Sequence, residues 1–321
     1  MAVNFEHFYV ASEHDGLQLG VETCVPAKKK VIGVIQLIHG MCEHKERYFH
    51  MCEYFAERGY ATIIHDHRGH GESIKNADDL GYFYEDGFNG MINDAHQITV
   101  LMKEKYPDVP YYLFGHSMGS LIVRAYLKRY DYELDGLIIC GCVANPVVTP
   151  AVKQGIKYMI KAKGDHHRPE KITGLGISFF NLRFDNVTGS NEWICANPET
   201  REKQAADPLC NFTFTLNGYD TLMRLVADVY SSRGWKLKNP ELPIFFISGR
   251  DDPCMVTRGK FIEAIGRLQL DGYENISYRL YKGMRHELMN EKDCNRVFDD
   301  MLEKMDVWNY VKKLKEKKAD K

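Results

Sequence analysis

Four short apolar runs, VIGVIQLI (31–38), ATIIH (61–65), YYLFG (111–115) and GLIICG (136–141), are separated by stretches with helical spacing. No other feature restricts the fold so strongly. A continuous apolar run has no polar face to give to water, so each is expected as a strand buried on both sides. Strands that alternate with helices join through right-handed crossovers and build a mostly parallel sheet. The intervening helices are predicted over 48–58, stopped by Gly59, over 90–106, stopped at Pro107, and over 118–130. Ahead of them, 5–12 and 17–24 are β-rich and flank Asp15-Gly16, a hairpin signal.

The alternation breaks after Val143. From 145 to 235 the pattern is helical and irregular, with turn residues throughout, Pro146, Pro150, Pro169, Gly174 and Gly176 among them. It resumes with PIFFISG (243–249), a helical stretch near 258–269, ISYRLY (276–281) and a final helix from about 292. The expectation is an α/β fold: a mostly parallel sheet flanked by helices, with an inserted, mainly helical cap. The core comprises 1–144 and 236–321, and the cap 145–235. A chain of 321 residues has room for this. The closing KKLKEKKADK reads as a solvated helix end.

Composition excludes several classes. A formal net charge of -2 gives no reason to expect a nucleic-acid partner. No stretch approaches the ~20 apolar residues of a membrane span, and MAVNFEHFYV does not read as a signal peptide. The nine cysteines are scattered, without a Cys-x-x-Cys pair, as expected of reduced thiols in a cytoplasmic protein.

The chemistry is expected where strand 111–115 meets helix 118–130, in GHSMGS (115–120). Parallel sheets gather chemistry at the carboxyl ends of their strands. A sharp strand-to-helix turn crowds the backbone, and Gly115 and Gly119 relieve the crowding because they lack a Cβ. Ser117, framed by His116 and Met118, is then presented alone at the tip, in front of the positive end of a helix. The pattern by itself is common, so its partners must decide. A nucleophilic serine needs a base, and the base needs an orienting acid, in the chain order Ser, Asp or Glu, His. Past strand 243–249 comes Arg250-Asp251-Asp252-Pro253, and past strand 276–281 comes Arg285-His286-Glu287. His286 falls in the loop where a base is needed. Asp251 and Asp252 compete as the acid; neighbours point in different directions, so only one reaches the imidazole, and Asp252 is preferred. For the oxyanion, the backbone N–H groups of Met41, after His39 and Gly40, and of Met118 are the natural pair.

Together HGMCEHKERY (39–48), HDHRGHGES (65–73), GHSMGS (115–120), SGRDDP (248–253) and GMRHE (283–287) resemble the α/β-hydrolase superfamily, and within it the monoacylglycerol lipase and lysophospholipase branch. The resemblance implies an α/β-hydrolase fold with Ser117 as nucleophile, His286 as base and Asp252, three positions after Gly249, as acid. It implies Met41 and Met118 as oxyanion donors, Glu43, His44 and Arg47 as shapers of the entry loop, and no cofactor or metal. Small residues are common after the family's His-Gly pair, and Met41 and Cys42 are larger. The implied substrate is a monoacylglycerol or lysophospholipid, in keeping with Phe179, Phe180, Trp193, Phe212 and Phe214 in the cap. A short-chain or aryl esterase is the alternative, and a ligand-binding protein without turnover is the alternative of another class. For a peptidase acting on N-terminal residues, no acidic cluster is placed to hold an amine.

Two further patterns carry rival readings. His65, Asp66, His67 and His70 have the spacing of a metal-hydrolase loop; the structural reading, histidines bonded to backbone, is preferred. In AVKQGIKYMIKAK (151–163), Val152, Ile156, Met159 and Ile160 share a helical face, with Lys153, Lys157 and Lys161 largely elsewhere. That face is expected to pack on the core, with transient membrane contact as the alternative. His166 and His167 are expected to be solvated.

Overall fold

One eight-stranded sheet organises the molecule, a computed structural model that describes residues 3–145, 149–171, 174, 180–184, 187, 189 and 191–319. The strands are β1 (Val3–Ala11), β2 (Gln18–Pro26), β3 (Gly33–Ile38), β4 (Tyr60–His65), β5 (Tyr111–His116), β6 (Gly136–Cys140), β7 (Ile244–Gly249) and β8 (Ile276–Tyr281). They lie in the order β1-β2-β4-β3-β5-β6-β7-β8. β1 and β2 form the expected hairpin, Ala11 opposite Gln18, and β2 pairs antiparallel with β4. From β4 across to β8 every pairing is parallel.

β3 to β7 are buried at every position, as their apolar runs require. Successive side chains alternate between the faces of the sheet. Leu113 joins the core packed under α2 (Gly87–Lys105), α3 (Met118–Tyr130) and the helix Arg258–Leu270, while its neighbour Phe114 joins the core under α1 (Phe49–Glu57) and the final helix Cys294–Ala319. The final helix carries the basic C-terminal stretch, exposed through Lys318.

Between β6 and β7 the sheet is interrupted by α4 (Thr149–Lys163), α5 (Pro198–Ala206) and α6 (Leu216–Val229). Asn197 and Thr215 cap α5 and α6 through their side-chain oxygens. α6 rests on α2 and α3, and α4 rests on α6. In α4, Ile156 is buried and Met159 and Ile160 are half-buried, but Val152 is 42% exposed. Pro146, Gly176 and Phe179 lie outside the described residues.

Candidate active site

β5 ends at His116 and α3 begins at Met118, so the whole reversal falls on Ser117, at φ 54 and ψ -116. A residue with a Cβ is strained there, and neighbours must hold it. The Ser117 N–H donates to the Cys140 carbonyl of β6 (3.0 Å), and the Ser117 carbonyl accepts from Ser120 N–H (2.8 Å). The flanking glycines are required by space. A Cβ on Gly115 would lie 2.5 Å from the Gly119 carbonyl oxygen, and one on Gly119 would lie 2.1 Å from that of Ile38.

The fold brings the expected partners to this turn. His286 Nε2 is 2.8 Å from Ser117 Oγ, and His286 Nδ1 is 3.0 Å from Asp252 Oδ1. An ionised carboxylate only accepts, so Nδ1 carries the proton and Nε2 is left to accept from the serine hydroxyl. Asp252 is fully buried; its Oδ1 also accepts from Cys254 N–H (2.8 Å) and its Oδ2 from Ser248 Oγ (2.8 Å). Gly249 brings the two loops together, because a Cβ there would lie 2.0 Å from the carbonyl oxygen of Arg285, the residue before His286. Asp251 is exposed and faces a cavity of about 440 Å³ lined also by Arg183, Arg250 and Arg285.

Burial opposes charge on both Asp252 and His286, but each outweighs it for the other. The Asp252 carboxyl is held below its usual range by His286, with Ser248 and Cys254 adding hydrogen bonds. The His286 pKa is raised by Asp252, with Glu287 and Glu43 adding to the effect. The base form is the neutral ring, so activity is lost as pH falls through the raised pKa. The acid limb of kcat/KM against pH is therefore expected to have its midpoint above 6.5, the ordinary histidine value.

The loop after β3 lies directly against the serine. A Cβ on Gly40 would sit 2.9 Å from Ser117 Cβ. Met118 is the first residue of α3, and no acceptor is found for its amide or that of Met41 among the described residues. One carboxylate organises the surroundings. Glu43 Oε1 accepts from Gly40 N–H (2.6 Å), Tyr48 O–H (3.0 Å) and His116 Nδ1 (2.8 Å). Glu43 Oε2 accepts from Arg47, whose guanidinium grips both oxygens of Glu287 at 2.8 and 2.7 Å. Burial works against the Glu43 charge, but His116 and Arg47 outweigh it and take the pKa down to about 2. His116 Nε2 donates in turn to the His286 carbonyl (3.2 Å). The serine turn, the loop at 39–47 and the histidine loop thus form one buried network. His44 reaches beyond it to Asp207, at 2.8 Å.

The histidine-rich loop lies beneath. His39 Nε2 accepts from His67 N–H, and His67 Nε2 donates to the His39 carbonyl, each at 3.0 Å. Asp66 is taken up by Lys45, through N–H (2.7 Å) and Nζ (3.1 Å), and by Glu72 N–H (3.0 Å). Burial holds His65, His67 and His70 down at about 4, 3 and 3. Their donor atoms do not converge. Among the described residues, the trios that do are His44–Asp207–Cys210 and Asp252–Cys254–His286.

Two more side chains lie against His286: Cys254, which carried no signal in the sequence, and Trp193, read there as one of the cap's apolar residues. Cys254 Sγ lies 3.8 Å from His286 Nε2, and the Trp193 ring lies 5.1 Å from the imidazole ring, centre to centre. His166 is exposed, as expected, and its ring also stacks on Tyr82 with ring centres 3.8 Å apart.

A parallel sheet with this serine turn and these strand-end loops is the layout of the α/β-hydrolases that work through a serine. The chain belongs to the family described as "Serine aminopeptidase, S33", whose model it matches over residues 29–293. It is 28% identical over 277 residues to a monoacylglycerol lipase of Mycolicibacterium smegmatis, covering 84% of this chain and 86% of that one. It is 32% identical over 276 residues to the human monoglyceride lipase, covering 86% and 81%. Among solved structures it resembles a thermostable carboxyl esterase from Bacillus coagulans, with a TM-score of 0.86 and 26% identity over 94% of this chain and 98% of that one.

Proposed function

We propose that this protein hydrolyses the ester bond of monoacylglycerols or lysophospholipids through an acyl-enzyme on Ser117. One observation carries the reading: the unbroken line of hydrogen bonds from Ser117 through His286 to Asp252, at 2.8 and 3.0 Å. In this reading Ser117 Oγ attacks the ester carbonyl carbon while His286 Nε2 takes its proton. The carbonyl oxygen, now negative, is held by the N–H groups of Met41 and Met118. As the tetrahedral centre collapses, His286 gives the proton to the departing alcohol oxygen. His286 then takes a proton from water, which attacks the acyl carbon, and the acid leaves as the serine recovers its proton. Asp252 keeps the imidazole in the productive tautomer throughout.

The lipid substrate is supported by the similarity to lipases and by the apolar residues above the strand ends. Trp193 lies beside His286 with Phe180 against the indole, and Phe212 lies against His70, whereas Phe214 is fully buried as packing. We read 145–235 as a cap over the core formed by 1–144 and 236–321. The ties of Asp207 to His44 and of Phe212 to Cys42 support this reading. Val152 and Tyr158, 42% and 74% exposed beside the lysines of α4, support passing contact with a lipid surface. No helix among the described residues is long and apolar enough to cross a membrane. Nine free, mostly buried thiols support a cytoplasmic location.

The test is hydrolysis of p-nitrophenyl esters of two to sixteen carbons, beside 1-monoacylglycerols, lysophosphatidylcholine and amino-acid p-nitroanilides, with and without EDTA. The reading expects ester turnover that EDTA leaves unchanged and a preference for medium or long acyl chains. Turnover of the anilides alone, or activity abolished by EDTA, would overturn it.

A further inference from the structure

We infer that Trp193 selects esters whose alcohol portion carries free hydroxyl groups, by donating its indole N–H to one of them. The inference rests on the ester-hydrolase reading of Ser117 and adds the part of the substrate that the protein recognises.

Trp193 is held in place by its neighbours. The Ile194 carbonyl accepts from Glu287 N–H at 2.8 Å. The Glu291 carboxylate accepts from Ala196 N–H (2.9 and 3.1 Å) and from Arg285 N–H (2.8 Å). Glu192 pairs with Arg285 at 3.0 Å, and Cys195 Sγ donates to the Asn290 carbonyl at 3.3 Å. Residues 192–196 therefore form a strap fastened along the loop that carries His286. The backbone N–H of Trp193 donates to Asn181 Oδ1 (3.1 Å), and Phe180 packs near the indole with ring centres 4.9 Å apart.

The strap sets the indole 5.1 Å from the His286 ring, tilted by 39°. Its Nε1–H is shielded from water and finds no acceptor among the described residues. An indole nitrogen only donates, and when buried it ordinarily has a partner. Leaving it without one is unfavourable, so the position gains if a ligand brings an oxygen.

The chemistry says which part of the ligand that is. His286 Nε2 must reach the alcohol oxygen to protonate it as it leaves. The carbonyl oxygen is directed elsewhere, towards Met41 and Met118. Whatever the alcohol oxygen is attached to therefore lies beside the imidazole, where the indole is. A glycerol portion supplies hydroxyl oxygens there, and an alkyl alcohol supplies none.

The experiment compares 1-octanoylglycerol with propyl octanoate, which has the same carbon skeleton without the two hydroxyls, on wild type and on Trp193→Phe, with a thermal melt of each protein. Phenylalanine keeps an aromatic ring beside His286 and removes the donor. Wild type is expected to favour the glycerol ester in kcat/KM. In the variant kcat/KM for the glycerol ester falls about tenfold while that for the propyl ester stays level. Equal losses on both esters would make Trp193 a packing residue and overturn the inference, and so would no loss on either. If the variant does not fold, wild type decides alone: no preference between the two esters overturns the proposal. A wild type inert on both esters removes the hydrolase reading itself, and this inference with it.

Discussion

Replacing Ser117 by alanine is expected to lower ester turnover by roughly a millionfold, to the residual rate left by binding and the oxyanion donors. The size of the loss follows from how the site is built. The hydroxyl oxygen is 2.8 Å from His286 Nε2, and in the proposed reading removing it leaves the base without the proton it takes. The fold should not suffer. Alanine keeps the Cβ at a position whose φ is 54, so the backbone strain is carried as before. Thermal melting beside p-nitrophenyl ester turnover checks both halves. Ser117→Gly, which has no Cβ to strain, should be equally inactive and melt no lower than the alanine variant. Residual activity in Ser117→Ala above about a thousandth of wild type would move the nucleophile elsewhere.

The second large effect separates two adjacent carboxylates. Asp252→Asn is expected to cost about ten-thousandfold in kcat, and Asp251→Asn no more than a few-fold. Asp252 is fully buried and accepts from His286, Cys254 and Ser248 together. An amide there must direct N–H groups at donors, and the imidazole is driven to the tautomer that offers Ser117 a proton instead of accepting one. Asp251 is exposed, with its amide bonded to the Met284 carbonyl at 3.2 Å, and does not contact His286. A pH profile adds a second readout. The Asp252 charge raises the His286 pKa, so whatever activity survives in Asp252→Asn should have its acid limb at lower pH than wild type. Equal losses from the two substitutions would put the orienting acid in doubt.

The strands and the serine turn were legible because they depend on neighbours within a few residues. A run such as YYLFG buries both faces whatever surrounds it, and β5 spans Tyr111–His116 with α3 starting at Met118. Helix ends were less legible: α2 begins at Gly87, ahead of the expected 90, with the Asp86 carbonyl accepting from Gly90 N–H at 3.0 Å. The histidine loop shows the limit of spacing as a guide. His65, His67 and His70 stand close in the chain, yet their rings pack against one another and beneath His39.

The sequence by itself determined the alternating sheet, the serine at a strand-to-helix reversal and the order serine, aspartate, histidine along the chain. Periodicity and turn chemistry act locally and leave their mark residue by residue. Only the tertiary structure brought Asp252, already favoured over Asp251, to His286, tied the loop after β3 to Glu287 through Glu43 and Arg47, and laid Trp193 against the imidazole with its indole N–H unpaired. Arg47 and Glu287 stand 240 residues apart. Such meetings are set by how the sheet stacks its strand ends and by what the segment between β6 and β7 lays over them, and packing across those distances leaves no pattern in any short stretch of chain.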